Sequence, residues 1–406
     1  MTSTFGPVSD WATDLDHVDP AYNRNAPEIW RSIREGGCPV ARSDRYHGMW
    51  VPLTHEYVAE ISYDTEHFTS RGVVVSRGTM EDFPAGPIGG APPITSDPPF
   101  HSHARRILLP PFSPKSIQRW EPEIRRRCAD LAQAIVDDGN EVFDASQRYA
   151  QHIPVDVIAR MLGLPPEDGD LFREFVHNAL EAVDLPAEQR MAFNDRLDAY
   201  LDSRIAEHVA EPADDLISYL LGVELFGEPL SHQHVRGTVD LLLLAGIDTT
   251  WSAIGSALWH LASHPDDRRR LVADRDLIPT AVEELLRAYA PVTMARFVAK
   301  DHDFHGHQMK AGEWVLLPFP AANRDPEVFE RPDDIVIDRL ENRHAAFGLG
   351  IHRCLGSNLA RLELRVALEE FLAHVPQFEL ADAHGESVVW SVGQVRGPRV
   401  LPLRFL

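Results

Sequence analysis

Along the 406-residue chain, apolar positions recur at three- and four-residue spacing far more often than they alternate. After residue 100 this pattern predicts helices over His101–Leu109, Ile117–Val136, Val155–Leu162, Met191–Val209, Ile278–Tyr289 and Leu355–His374. In the last of these, Leu355, Leu359, Leu362 and Val366 share one face. The longest predicted helix, Gln233–Ala262, lies between Ser231 and His264-Pro265 and would span about 45 Å. Strand signals are short: Met49–Leu53, Trp314–Leu317, Val388–Val392 and Val400–Leu403. The pattern predicts a mainly α fold with small β-sheets. No composition break divides it, so residues 1–406 read as a single domain. Between Gly72 and Pro99, rich in proline and glycine, neither period holds; a loop this long reads as a lid or as a surface insert.

Composition narrows the class. Hydrophobic residues at 44% and charged residues at 25% suit a globular protein with a large core. A net charge of −23 speaks against a general nucleic-acid binder, whose footprint is basic. Three cysteines, Cys38, Cys128 and Cys354, cannot form a disulfide framework and fit a reducing compartment. The first residues lack the basic-then-apolar order of a leader. The most apolar run, Val239–Ile247, is interrupted by Asp240 and falls short of the ~18 residues of a membrane span. A cytoplasmic protein without membrane association is expected.

The densest chemical signal is AFGLGIHRCLGSNLARLELR, Ala346–Arg365. Cys354 is expected to open an amphipathic helix, where the helix terminus would lower its thiol pKa. Glycines on both sides would let the backbone approach a flat partner. A zinc site lacks ligands, with only His352 nearby; a nucleophilic cysteine would need one of the 20 histidines as base. A thiolate axial ligand to haem iron suits the glycine setting best, but from the residues alone a buried inert cysteine is the commoner outcome.

FGLGIHRCLG carries Phe347, Gly350, Cys354 and Gly356 in the spacing F-x-x-G-x-x-x-C-x-G, and so resembles the haem-thiolate loop of the cytochrome P450 superfamily. That resemblance implies haem b held between the long central helix and the helix after the cysteine, with Cys354 as the iron ligand. Inside the long helix, LLLLAGIDTTW (Leu241–Trp251) puts an aspartate after four leucines, costly unless paired or hydrated. Read locally, Gly246 could end one helix and Asp248 or Thr249 cap the next. Read through the resemblance, Ala245 and Gly246 leave room for dioxygen, Thr249 bonds the oxygen species and Asp248 feeds it protons.

Further positions follow in the same order. Glu284 and Arg287 have the spacing of an ordinary exposed ion pair, but resemble the family's E-x-x-R, completed by Arg339 in AANRDPEVFERPDDIVIDR. The resemblance makes His101, Arg105, Arg296 and His352 the haem propionate partners, arginine being suited to carboxylates. His103 stands where relatives often carry arginine, and Met294 where some carry a polar residue. Leu241, Leu244, Ala245, Val292, Thr293, Met294, Gln394 and Val395, with the 72–99 loop, would line a mostly apolar substrate pocket, Gln394 or Thr293 fixing one polar group.

The implied reaction is monooxygenation of a small to medium hydrophobic molecule: RH, O₂, two electrons and two protons give ROH and water. No G-x-G-x-x-G is present, so electrons should come from separate partners, expected to be ferredoxin and an NAD(P)H-dependent ferredoxin reductase. Arg106, Arg353 and Arg361 would form a basic patch for the ferredoxin. A monomer is expected. The competing readings are a peroxide-dependent haem-thiolate hydroxylase and a non-catalytic haem protein.

Overall fold

A computed structural model describes residues 5–37, 39–181, 187–382 and 384–406; Cys38 lies outside the described residues. Helices dominate, as the 3.6-residue periodicity predicts, and their packed faces form one large apolar cluster around the central helix His232–Ser263. Ser231 caps that helix, its hydroxyl accepting from His234 N at 3.2 Å. Gly246 does not end it. Its missing side chain admits Ile158, whose Cγ1 would lie 2.9 Å from an added Cβ, so the glycine serves packing against the neighbouring helix His152–Leu162. The central helix is long and apolar enough to cross a membrane, but 72% of its most apolar window is buried against other elements.

Most predicted elements occur with shifted ends. The expected Ile117–Val136 helix is two, Pro114–Gln118 and Glu121–Asp137. Met191–Val209 extends to Ala187–Ala210, Leu355–His374 begins only at Ser357, and His101–Leu109 becomes Phe100–Leu108. The helices Pro20–Glu35, His55–Tyr63 and Gly169–Leu180 were not predicted. Val388–Val392 shrinks to Val389–Trp390, and the last strand splits into Pro398–Val400 and Pro402–Phe405.

The largest sheet has five strands, in the order Val40–Ser43, Met49–Pro52, Trp314–Leu317, Met294–Val298, Phe68–Thr69. Its two faces carry their own apolar clusters.

The 72–99 loop is an anchored structure. Phe83 sets its ring edge-on to Phe297 (5.3 Å) and Trp314 (5.6 Å), and its carbonyl accepts from Arg71 Nε at 3.0 Å. At its other end Pro92 O accepts from Thr238 Oγ1 of the central helix at 3.2 Å. The loop thus spans from sheet to central helix, over the region between them.

Candidate active site

The cysteine loop is shaped by backbone before chemistry. Gly350 has φ +69°, and an added Cβ would stand 2.0 Å from Ser62 O, so no other residue fits there. Cys354 N donates to Phe347 O at 2.7 Å, closing the loop, and Arg361 lies 4.3 Å above the Phe347 ring. Cys354 precedes the helix, which starts at Ser357. The expected lowering of its thiol pKa does not occur: burial pushes the thiol up, outweighing the Gly356 N–H and the charges of Arg105, Arg361 and Arg353. Yet the side chain is solvent-accessible. A residue surrounded by protein and still accessible lines an internal cavity.

Four basic side chains converge beside it. His101 is buried with neither ring nitrogen hydrogen-bonded, and its ring meets that of His352 at 4.3 Å. Burial and the charge of Arg105 push His101 down to about 4. His352 is pushed down as well, by burial and then by Arg296, His101 and Arg105; its Nε2 lies 2.8 Å from Ser70 Oγ. Arg296 is buried, its NH1 donates only to the adjacent Ala295 O, and desolvation lowers it to about 10. Arg105 donates to Arg353 O. The nearby acid, Asp97, accepts from Thr69 Oγ1 and Ser70 N. Asp97 is the one acid that acts on this cluster among the described residues, and both ring nitrogens of His101 stay unbonded, so the cluster has room for a further anion. Together with a cavity-lining thiol, it fits a haem whose propionates meet the basic cluster and whose iron meets the sulfur. His103 stands apart, its ring 4.7 Å from Phe226.

Asp248 and Thr249 point differently. Thr249 Oγ1 donates to Ala245 O at 2.9 Å, and Ala245 is exposed although its helix is mostly buried, so this face borders a cavity. Asp248 is fully buried; Oδ1 accepts from Arg399, and Oδ2 has no partner. Burial raises its carboxyl to about 6, against the pull of Arg399. Arg399 also donates to Glu181 Oε1 at 2.6 Å and Ser252 Oγ at 3.0 Å, and Glu181 lies 3.7 Å from the solvent-exposed His177. An ionisable chain therefore runs from solvent to the central helix.

Glu284 and Arg287 are both fully buried, which sets aside the ordinary exposed ion pair and suits the structural role that the family's E-x-x-R implies. Two bonds of 2.8 Å join them, and Arg339 Nε, Asn342 Nδ2 and Val336 N complete the carboxylate at 3.0, 3.1 and 2.8 Å. Arg287 further donates to the carbonyls of Asn323, Pro332 and Asp334. Burial opposes the charge on Glu284, but these bonds win and hold its pKa below the usual value.

On the expected substrate wall, Val292 bridges Val395, and Thr293 N donates to Gln394 O at 2.8 Å. Leu241, Leu244 and Met294 are half-buried. Gln394 is not free for a substrate. In the orientation that satisfies it, its amide donates to Thr293 O and Val73 O and accepts from Val75 N, tying the 72–99 loop to this wall. In the expected basic patch, Arg106 and Arg353 are exposed, but Arg361 is committed to Glu283 at 2.6 Å.

Sequence reasoning missed Arg399, Glu181, Asn342 and Glu283. The one signal for Arg399 was indirect: a buried aspartate demands a cation.

Comparison with known proteins gives the same answer. The family profile described as Cytochrome P450 matches residues 45–389. The chain is 32% identical to "Vitamin D3 dihydroxylase" of Streptomyces griseolus over 98% of this chain and 100% of that one. It is 34% identical to "Steroid C26-monooxygenase" of Mycolicibacterium smegmatis, covering 97% and 96%. The crystal structure of myxobacterial CYP267B1 with myristic acid superposes with a TM-score of 0.86 at 31% identity, covering 96% of this chain and 98% of that one. CYP109E1 from Bacillus megaterium, solved with testosterone, gives 0.85 at 30% identity, covering 95% and 99%. A match of this extent, on a fold whose cysteine loop and basic cluster call for the same cofactor, makes the chain a member of the cytochrome P450 family: a haem b monooxygenase that uses O₂, redox partners and hydrophobic substrates.

Proposed function

We propose that this P450 hydroxylates a medium-sized, largely apolar substrate, with Cys354 as axial ligand and electrons supplied by ferredoxin and an NAD(P)H-dependent ferredoxin reductase. When bound, haem supplies the activation of O₂ for insertion into a C–H bond. The residues around it divide the remaining work. His101, Arg105, Arg296 and His352 bind the propionates, and Phe347, Gly350 and Gly356 shape the cysteine loop. Glu284, Arg287 and Arg339 hold the segment leading into that loop. Thr249 Oγ1 holds a proton at the cavity face, and Asp248 takes up and releases a proton, its carboxyl oriented by Arg399, which Glu181 in turn holds in place. A carboxyl titrating near 6 can take up and release a proton at neutral pH.

The observation that carries this reading is the accessible Cys354 thiol beside a basic cluster whose buried His101 has both ring nitrogens unbonded. Leu241, Leu244, Ala245, Val292, Thr293, Met294 and Val395 supply an apolar wall. The relatives' named substrates, vitamin D3 and a steroid, support the same class here. Arg106 and Arg353, exposed near the cysteine side, are the proposed ferredoxin contacts. We further read the chain as one domain, consistent with relatives matched over nearly their whole length, and as monomeric and cytoplasmic. The test is spectroscopic: the reduced CO complex of the wild type should show the red-shifted thiolate band, and Cys354→Ser should lose it. An unchanged spectrum overturns the ligand assignment. Turnover with peroxide but none with NAD(P)H, reductase and ferredoxin would overturn the electron route.

A further inference from the structure

A cavity of about 1,070 Å³ opens between the helix Pro20–Glu35, the end of the central helix and the segment from Trp390 to Arg396. It is separate from the cysteine loop; no residue of the proposed haem site lines it. Three aromatic rings wall it: Trp259 stands edge-on to Tyr289 at 5.6 Å and to Trp390 at 5.4 Å. Two guanidiniums meet inside. Arg396 lies 4.1 Å above the Trp390 ring and donates Nε to Asn23 O at 2.6 Å; its two terminal nitrogens make no hydrogen bond within the described residues. Arg324 is buried, spends its terminal nitrogens on Ala288 O and Asp333 Oδ1, and leaves Nε buried without a partner.

The charges here are unbalanced at depth. Asp333 is shared between Arg324 at 3.1 Å and Arg31 at 3.7 Å, and no described carboxylate lies within ion-pair distance of Arg396. Glu28 and Glu386 line the cavity too, but both are exposed to solvent; Glu379 is turned to Arg404 at 3.7 Å. Desolvation and the charge of Arg324 lower Arg396 to about 10, against Tyr289, Tyr22 and Glu28. Forked donors and aromatic faces recognise different parts of one ligand: the fork suits a carboxylate, and the rings suit a flat apolar body.

We propose that this cavity is a second binding site, for an organic carboxylate with an aryl body, whose anion meets Arg396 and Arg324 and whose ring sits among Trp259, Tyr289 and Trp390. Occupancy would be felt at the substrate wall. Arg396 N donates to Pro291 O at 2.7 Å, and the residue before it, Val395, bridges Val292. This coupling rests on the reading of Val292 and Val395 as substrate wall; the binding itself does not.

The experiment is calorimetric titration of the haem-loaded enzyme with naphthalene-2-carboxylate, the haem pocket being filled by an N-aryl imidazole that ligates the iron. One equivalent should bind, and naphthalene-2-carboxamide should bind at least tenfold more weakly. Arg396→Gln and Trp390→Leu should each weaken the carboxylate at least tenfold while the CO spectrum of the reduced enzyme is unchanged. If Arg396→Gln fails to fold, Trp390→Leu and the carboxamide decide. No binding with the haem pocket filled overturns the site. Inorganic phosphate binding as tightly as the arene carboxylate, insensitive to Trp390→Leu, overturns the aryl class. For the coupling, the carboxylate should shift the midpoint of the imidazole's own Soret titration, by the same factor that the imidazole shifts carboxylate affinity. A fixed midpoint overturns the coupling and leaves the site standing.

Discussion

Two buried carboxylates show how differently one protein treats the same group. Glu284 and Asp248 both have no exposed surface, and each faces an arginine. Glu284 receives five hydrogen bonds, from Arg287 (two), Arg339, Asn342 and Val336, and is held ionised. Asp248 receives one, leaves Oδ2 bare and is raised to about 6. A fully bonded ion is a strut, because taking up a proton or leaving its place breaks several bonds at once. A half-bonded one can change protonation and orientation. Glu363 extends the series: buried in the helix after the cysteine, with Oε1 unbonded and no cation paired with it among the described residues, it is raised by burial to about 8 and stays neutral at pH 7.

The largest effect should come from breaking the strut. Glu284→Gln leaves Arg287 and Arg339 buried without their counter-ion, so a loss of about 3–5 kcal/mol is expected. Denaturant unfolding and haem content would report it; a stable, haem-replete variant would remove the distinction drawn above.

At the half-bonded carboxylate, Asp248→Asn should spare folding but slow NAD(P)H-driven product formation by about 10²-fold, the lower range for loss of a positioned proton donor. In the wild type, product formation should decline as pH rises through about 6, because the protonated fraction of Asp248 falls. The variant should lack that limb. Thr249→Ala should instead keep electron consumption while less of it ends in product.

Glu363 sharpens the comparison through stability. In the unfolded chain it titrates near 4.5, whereas in the native protein it keeps its proton until about 8. Between those values the unfolded state binds fewer protons, so stability falls with rising pH, by up to about 1.4 kcal/mol per unit, and is level outside them. Glu363→Gln should remove that slope between pH 5 and 8; parallel wild-type and variant curves would contradict it. The smallest effect is expected at Arg399. Arg399→Gln removes the cation that pulls Asp248 down, so the limb near pH 6 should move upward; a limb that stays put would show that Arg399 does not tune the carboxyl.

These contrasts also mark what could be read from the chain alone. The central helix and the helix after the cysteine were legible because their apolar spacing is local and long. The cysteine loop was legible because F-x-x-G-x-x-x-C-x-G is compact, and its glycines answer a steric demand that only Gly350's approach to Ser62 explains. Glu284 and Arg287 were visible as a spacing, but nothing local distinguished a solvated pair from a fully buried one. Gln394 looked available to a substrate until the 73–75 backbone took its amide. Arg361 looked free for a partner until Glu283 claimed it.

The sequence by itself determined the fold class and the family, since periodicity and a compact motif are properties of neighbours along the chain. Tertiary structure decided the charge states. Asp248 meets Arg399 across 151 residues and Arg361 meets Glu283 across 78, and burial raises the Cys354 thiol where a helix end was expected to lower it. Desolvation and ion pairing depend on what folding brings close, and sequence distance does not encode that.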